Sequence, residues 1–147
     1  MKIVRVSAAD GQLLDRQLLI QAETVHRHLR PQIPQPYADQ LLRIFAGGAE
    51  MAVALDDAGV IAGVVVFRVT ENTMAGRRIY IDDLVADPET RSKGVGKGLM
   101  DYVKQQGLER GCTSLELESG TQREQAHRFY FREGFTIKAF SFKQPLG

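Results

Sequence analysis

The sequence predicts a mixed α/β domain: a central, mostly antiparallel sheet of about six to seven strands, one pair of them parallel, flanked by about four helices. Short apolar or alternating runs predict the strands, at residues 2–6, 51–55, 60–69, 77–86, 114–118 and 137–142. Turn residues join the second, third and fourth of these runs as in antiparallel hairpins. A helical segment then separates 77–86 from 114–118, and a crossover of this kind joins parallel strands.

Apolar residues at spacings of three and four predict the helices. The first helix has an apolar face made of Leu14, Leu18, Ala22, Val25 and Leu29. Ser7 or Asp10 is its expected N-cap, and Pro31 ends it. Further helices are predicted over residues 37–46, from the loop at 91–98 to about residue 110, and over 122–133. The 147 residues fit a single domain, 1–147.

Composition argues against several classes of function. With 25% charged residues and a net charge of +1, the chain has no basic excess for nucleic acid or an anionic membrane. Its longest apolar run, 61–67, is far shorter than the roughly 20 residues that cross a bilayer. The single cysteine cannot form an internal disulfide, and residues 1–6 are not a secretory signal, so we expect a cytoplasmic protein. Since the histidines have no partners at ligand spacing, we expect no metal site.

The most informative segment is residues 84–100, where a strand, a loop with glycines and a helix start follow one another. Gly94 and Gly96 allow the backbone to approach a ligand without a Cβ clash. The free amides of the first helical turn and the positive end of the helix dipole suit a pyrophosphate. Arg91, Lys93 and Lys97 add positive charge beside it.

Two known phosphate-binding patterns do not fit this loop. The P-loop needs lysine directly after its second glycine, but Leu99 follows Gly98, and the dinucleotide motif that begins at Gly94 and Gly96 needs glycine at the same position. The pattern present, Arg-x-x-Gly-x-Gly over residues 91–96, resembles the coenzyme A pyrophosphate signature of the GNAT acetyltransferases. A glycine-rich turn between strand and helix is the alternative.

A second motif supports the resemblance. Ala-x-x-Phe-Tyr-x-x-x-Gly-Phe over residues 126–135 is similar to the closing helix of that family, and it follows the first motif in the right order and spacing. The resemblance covers roughly residues 80–142 and implies the GNAT fold. Many members carry Asn where this chain has Arg123, which could instead reach a cofactor phosphate.

The resemblance implies an enzyme that transfers acetyl from acetyl-CoA to a primary amine by direct attack through a tetrahedral intermediate. The residues it implies for cofactor binding lie on the strand, the loop and the closing helix: Leu84, Val85, Ala86, Arg91, Ser92, Lys93, Gly94, Val95, Gly96, Lys97, Gly98, Arg123, Phe129 and Tyr130. Tyr130 is the implied acid at the thiol sulfur, and a backbone amide of residues 84–86 would bind the thioester carbonyl and then the oxyanion.

The general base is less defined. Glu118 is the first choice, followed by Asp82 and then Asp83. Neighbours in a strand face opposite ways, so only one of the two aspartates should face a given side. For each carboxylate a solvated or capping role is the alternative, and a chain of waters could also remove the proton.

A small-molecule amine is the preferred acceptor. A peptide or protein amine is one alternative, and a non-catalytic CoA-binding module is another, against which Tyr130 and Glu118 count. Residues 28–37, rich in proline, lie where the family shapes its acceptor site, although they could be only a rigid connector. The family often dimerises, and Phe140 and Phe142 belong either to the core or to a dimer contact.

Overall fold

The computed structural model describes residues 1–90 and 94–147. Three predicted cofactor residues, Arg91, Ser92 and Lys93, lie outside the described residues. In the described part the elements are, in order, β1 (Lys2–Arg5), α1 (Arg16–Leu29), α2 (Tyr37–Ala46), β2 (Glu50–Leu55), β3 (Ile61–Asn72), β4 (Gly76–Ala86), α3 (Val95–Glu109), β5 (Ser114–Leu117) and α4 (Glu124–Arg132). None of these helices is long and apolar enough to cross a membrane.

The strands form one mixed sheet in the order β1-β2-β3-β4-β5. The first three pairs are antiparallel, and β4 with β5 is the parallel pair that the α3 crossover predicts. The predicted mixed sheet and its four flanking helices are therefore confirmed.

The strand count differs from the prediction: the described residues form five strands. Residues 137–142 form no strand, and the side chains of Phe140 and Phe142 are 85% and 93% exposed. Alternating apolar residues supply the pattern of a strand but not the hydrogen-bonding partner that a strand requires.

The chain divides into two compact units, Met1–Glu116 and Leu117–Gly147. In the first unit, α1 and α2 pack onto the sheet through one apolar cluster, which includes Leu19, Ala22, Leu41, Phe45, Val64 and Val66. Burying a large apolar side chain of this kind stabilises the fold by about 1.5–3 kcal/mol. The second unit contains α4 and the residues that follow it.

The N-cap of α1 is Asp15, not Ser7 or Asp10. The Asp15 carboxylate accepts a hydrogen bond from the Leu18 amide at 2.9 Å. Ser7 is buried, and its hydroxyl oxygen accepts a hydrogen bond from the Met51 amide at 2.9 Å. A residue that suits a helix cap thus joins the segment after β1 to β2, which is distant in sequence.

The first turn of α3 packs directly against β3 at Gly63. A Cβ atom there would lie 2.6 Å from Val95 Cγ1 and 2.9 Å from Leu99 Cδ1. Val95 and Leu99 are both buried, so neither side chain has open space into which to move. The missing side chain of Gly63 therefore sets how closely the first turn of α3 approaches the sheet.

We predict that Gly63→Val lowers the free energy of unfolding by about 1–3 kcal/mol, because the added methyl groups overpack the contact between β3 and α3. Chemical denaturation followed by circular dichroism measures the change. Glu71→Val, on an exposed position of the same strand, is the control and should change stability by less than about 0.5 kcal/mol. Equal stability of Gly63→Val and the parent protein would contradict this account of the contact.

Candidate functional site

The predicted phosphate-binding loop leads into the N-terminus of α3. Gly94 is the N-cap residue and has a φ of +88°, a left-handed conformation that favours glycine. The Gly98 amide donates the first helical hydrogen bond to the Gly94 carbonyl at 2.9 Å. Within residues 1–90 and 94–147, no side chain caps this end of the helix. The amides of its first turn are therefore free of a side-chain cap, as an anion site requires.

The other predicted residues of this turn differ in which of their groups a ligand could reach. Val95 is buried, so only its backbone could meet a ligand. Lys97 is exposed and forms an ion pair with Asp101 at 3.1 Å. Gly96 lies within the first turn, where it adds no side chain between the helix end and solvent.

The end of β4 extends beyond its parallel neighbour. The Thr113 amide donates to the Arg77 carbonyl at 2.8 Å, which places the start of β5 beside the start of β4. Because β5 has 4 residues and β4 has 11, β5 ends before it reaches residues 84–86. Of these three, Leu84 and Val85 are half-buried and Ala86 is exposed.

A β-bulge in β4 changes the direction of the two aspartates. Val66 of β3 pairs with Asp83 and Phe67 pairs with Ile81, so Asp82 is an extra residue between two register positions. Both aspartates consequently line the same cavity. The prediction that only one of the two could face a given side is therefore wrong, because it assumed an unbroken alternation.

This cavity has a volume of about 290 Å³ and lies within the first unit. Its walls come from the end of α1, the loop at residues 32–34, α2, β3 and β4. The proline-rich segment that was predicted to shape an acceptor site thus contributes part of a cavity wall, through Pro34 among others.

Asp83 is held by side chains from α1 and its C-cap. One carboxylate oxygen lies 2.7 Å from His26 Nε2, and the other accepts from Arg30 Nε at 2.7 Å. Burial alone would raise the pKa of Asp83, but the hydrogen bonds with His26 and Arg30 outweigh burial and lower that pKa. Asp83 is therefore an anion fixed in place, and both of its oxygens are engaged.

The hydrogen-bonded chain continues behind the cavity to Tyr37. His26 Nδ1 lies 2.9 Å from the Tyr37 hydroxyl oxygen, and both side chains are almost completely buried. Burial raises the pKa of Tyr37 well above its ordinary value, so this phenol stays neutral. A neutral tyrosine, a histidine and an anionic aspartate thus form one connected wall.

Asp82 is paired on one side. Arg68 Nε and Nη2 both donate to its Oδ2, at 2.9 and 2.6 Å. Arg30 Nη2 donates to the Asp82 backbone carbonyl at 3.0 Å. The two arginines are therefore attached to the same residue, one at its side chain and one at its main chain.

The two carboxylates around the end of β5 differ. Glu116 accepts from the Ser114 hydroxyl at 2.6 Å and from Arg78 at 2.7 Å, and these contacts lower its pKa. Glu118, the first choice as base, follows the last residue of β5 and accepts from the Ser141 hydroxyl at 3.1 Å. Glu116 is thus held in an ion pair with Arg78. Among the described contacts, Glu118 forms no ion pair.

In the second unit, α4 carries the predicted tyrosine. The ring of Tyr130 makes edge contacts with Phe129 at 5.6 Å and with Phe135 at 5.8 Å between centroids. Gly134 has a φ of +90° just beyond the helix, and the Phe135 amide donates to the Tyr130 carbonyl at 3.0 Å. The helix ends at Arg132, one residue before the predicted end, and Arg123 is its N-cap residue.

Two residues of the cavity were missed as candidates. His26 lies on the apolar face of α1: it is four residues after the buried Ala22, which is three residues after the buried Leu19. A polar residue on such a face was the available signal, since a buried histidine needs hydrogen-bond partners. Arg68 directly follows the apolar run of β3, but no pattern in the sequence indicates its pairing with Asp82.

Comparisons with known proteins agree with this geometry. The Acetyltransferase (GNAT) family profile matches residues 18–135. The uncharacterized N-acetyltransferase YhdJ of Bacillus subtilis is 43% identical over 72 residues, which are 48% of this chain and 51% of that protein. The aminoalkylphosphonate N-acetyltransferase of Salmonella typhimurium is 33% identical over 66 residues, 45% of this chain and 43% of that protein.

A solved structure extends the similarity to the whole fold. The structure of AAC(6')-Iy in complex with the bisubstrate analogue CoA-S-monomethyl-acetylneamine matches with a TM-score of 0.78, at 16% sequence identity, over 99% of this chain and 98% of that one. At this level of identity the likeness is one of fold. The chain spans about half the length of the curated relatives that it matches.

We predict that Asp83→Asn lowers the free energy of unfolding at pH 7 by about 1–3 kcal/mol, because the charged acceptor of His26 and Arg30 is lost. The folded pKa lies below the ordinary 3.8, so the stabilisation is present above pH 3.8 and is lost as the pH falls through the folded value. Denaturant titrations should therefore show the difference from the parent protein shrinking below pH 3.8.

Asp101→Asn is the control for this experiment, since Asp101 belongs to an exposed ion pair on α3. It should change stability by less than about 1 kcal/mol. A constant difference between Asp83→Asn and the parent protein down to acid pH would show that the Asp83 charge is not what stabilises the wall.

Proposed function

Because the chain belongs to the Acetyltransferase (GNAT) family, we propose that it transfers an acetyl group from acetyl-CoA to a primary amine of a small molecule. The observation that carries this proposal is the N-terminus of α3 at Gly94, which no side chain of the described residues caps and which follows the protruding end of β4 in the chain. We further propose that residues 1–147 act as one N-acetyltransferase domain, since the family match crosses both compact units.

The described residues fit the diphosphate of coenzyme A. The Cβ position of Gly94 is open, because a Cβ atom built there would meet no described atom within 4 Å apart from the neighbouring residues in the chain. In this proposal the amides of residues 94–97 hold the diphosphate, with Gly98 following them in the same turn, Arg91, Ser92, Lys93 and Lys97 beside them and Arg123 at a further phosphate. The bound thioester supplies an activated acetyl group.

The end of β4 fits the role of holding the thioester. Residues Leu84, Val85 and Ala86 run past β5, which leaves a strand edge to which an extended ligand arm can add. A main-chain amide on this edge would donate to the thioester carbonyl and more strongly to the oxyanion that follows amine attack. In the same fold, AAC(6')-Iy binds a bisubstrate analogue that contains CoA.

Tyr130 is proposed to protonate the leaving thiolate. Its ring is fixed between Phe129 and Phe135, so its hydroxyl has a restricted direction. The attacking amine must lose a proton, because a lysine-like amine has a pKa near 10.4 and is mostly charged at neutral pH. Glu118 remains our first choice for the base, ahead of Asp82 and Asp83, whose carboxylates are paired with arginines.

The cavity size favours a small acceptor over a protein segment. A volume of about 290 Å³ is at the lower end of small-ligand sites, which span about 300–1,000 Å³. The relative from Salmonella typhimurium is named for acetylating an aminoalkylphosphonate, which is a small molecule. Both observations support a small-molecule amine.

We predict that Gly94→Val weakens coenzyme A binding at least about tenfold, because a branched side chain would occupy the approach of the diphosphate and strain the helix start. Isothermal titration calorimetry measures the affinity. Gly59→Val is a matched control: Gly59 also has a positive φ, of +79°, and nothing within 4 Å of a built Cβ, but it lies in the β2–β3 turn. Equal losses in both variants would attribute the effect to backbone strain and not to the loop.

We predict that Tyr130→Phe lowers turnover by about 10²–10⁴-fold while coenzyme A affinity is retained, because only the proton donor is removed. A screen of primary amines with acetyl-CoA, read as free thiol release, measures turnover. Tyr102→Phe is the control, since the Tyr102 hydroxyl is buried without a hydrogen-bond partner among the described residues. Equal rates for Tyr130→Phe and the parent protein would remove Tyr130 from the mechanism.

A further inference from the structure

The two arginines of the cavity keep hydrogen-bonding capacity that the protein does not use. A guanidinium has five N–H donors. Arg68 uses Nε and Nη2 on Asp82, and Arg30 uses Nε on Asp83 and Nη2 on the Asp82 carbonyl. Within residues 1–90 and 94–147, neither Nη1 group has a hydrogen-bond partner. Each guanidinium therefore offers the cavity a free, positively charged edge.

The free acceptors on the same wall are fewer. Both oxygens of Asp83 are engaged, one by His26 and one by Arg30. Asp82 receives both of its side-chain hydrogen bonds at Oδ2, so Oδ1 is its unused oxygen in the described part of the chain. One carboxylate oxygen thus stands beside two guanidinium edges.

The two arginines are also held in place, which is what a recognition site needs. Arg30 reaches across from the end of α1 and Arg68 projects from β3, and both are anchored to Asp82 of β4. Their side chains are 40% and 32% exposed, so the cationic groups are open to a ligand without being fully solvated. Anchored guanidinium groups bind carboxylate or phosphonate oxygens well, because their fork of donors matches two oxygens.

We propose that the acceptor is an amine that also carries an anionic group, with Arg68 and Arg30 binding the anion and Asp82 Oδ1 accepting from the amine. This inference rests on the proposed acetyltransferase activity and narrows its substrate to short, zwitterionic amines. Charge-assisted hydrogen bonds to the anion set the preference, and a neutral amine of the same length leaves the guanidinium edges to water.

Four acceptors that share a 2-aminoethyl group test the inference: β-alanine, 2-aminoethylphosphonate, β-alaninamide and ethylenediamine. With saturating acetyl-CoA, we expect kcat/KM for the two anionic amines to exceed that of β-alaninamide by about 10- to 100-fold. The amide is a strict comparison, because its amine lacks a neighbouring anion and is more easily deprotonated. Whichever of β-alanine and 2-aminoethylphosphonate is preferred identifies the anion as carboxylate or phosphonate.

Arg68→Met should reduce this preference at least tenfold, mainly through KM, and should improve ethylenediamine, because Asp82 loses its cationic partner. Arg68→Lys should retain an intermediate preference, since the charge remains but the fork of donors is lost. Arg43→Met, on an exposed position of α2 outside the cavity, should leave all four rates unchanged. Coenzyme A affinity of each variant shows that it is folded.

The outcomes separate the two proposals. Acetylation of β-alaninamide as efficiently as β-alanine would overturn the anionic acceptor while supporting the acetyltransferase. A preference for anionic amines that is unchanged in both Arg68 variants would overturn the assigned site. Absence of thiol release with every amine of a broad screen would overturn the proposed function, and the inference with it.

Discussion

The cavity depends on one extra residue in β4. In a regular strand, Asp82 and Asp83 would lie on opposite faces of the sheet. One of them would then lie on the face where Phe67 packs against Tyr102 of α3. A carboxylate buried there without a partner would be costly. The bulge at Asp82 turns Asp83 back to the side of α1, where His26 and Arg30 are available. The local irregularity of the strand thus lets two adjacent acidic residues share one cavity.

The end of α1 supplies the matching partners. His26 and Arg30 are four residues apart, so they project from the same side of the helix end, and both reach Asp83. The neighbouring Arg27 donates to the carbonyls of Pro31 and Ile33, at 3.3 and 2.8 Å, which ties the following loop to the helix. Basic groups at a helix C-terminus also interact favourably with its dipole. One helix terminus therefore fixes both the charges and the loop of the cavity wall.

The sequence predicted what local pattern determines. The order of the helices and strands, the parallel crossover and the glycine after α4 all depend on residues close together in the chain, and the structure has them. The features that it did not predict are set by distant partners. Ser7 bonds to Met51 instead of capping α1, and residues 137–142 have a strand pattern without strand pairing.

The candidate site was also predicted only where it depends on residues that are close together in the chain. The glycines at the start of α3 are a local signal, whereas the bulge at Asp82 exists only in the register between β3 and β4. His26 bonds to a residue 57 positions away, and Arg68 to one 14 positions away. Spacing within one segment cannot specify contacts of this kind, which arise only when the sheet and helix are assembled.

The two halves of the proposed reaction meet on a single strand. Asp82 and Asp83, which line the cavity, immediately precede Leu84, where the proposed thioester edge begins. A strand advances about 3.3 Å per residue, so the two regions are separated by only about 3–7 Å along β4. Attack of an amine on a carbonyl requires the reacting atoms to be held about 3–3.5 Å apart. Under the proposed function, β4 helps to bring the two reactants together. The backbone that would present an amide to the thioester also carries the carboxylate that would receive the amine. Under the same proposal, the bulge at Asp82 matters for the reaction because it lets Asp82 and Asp83 line one cavity next to that amide.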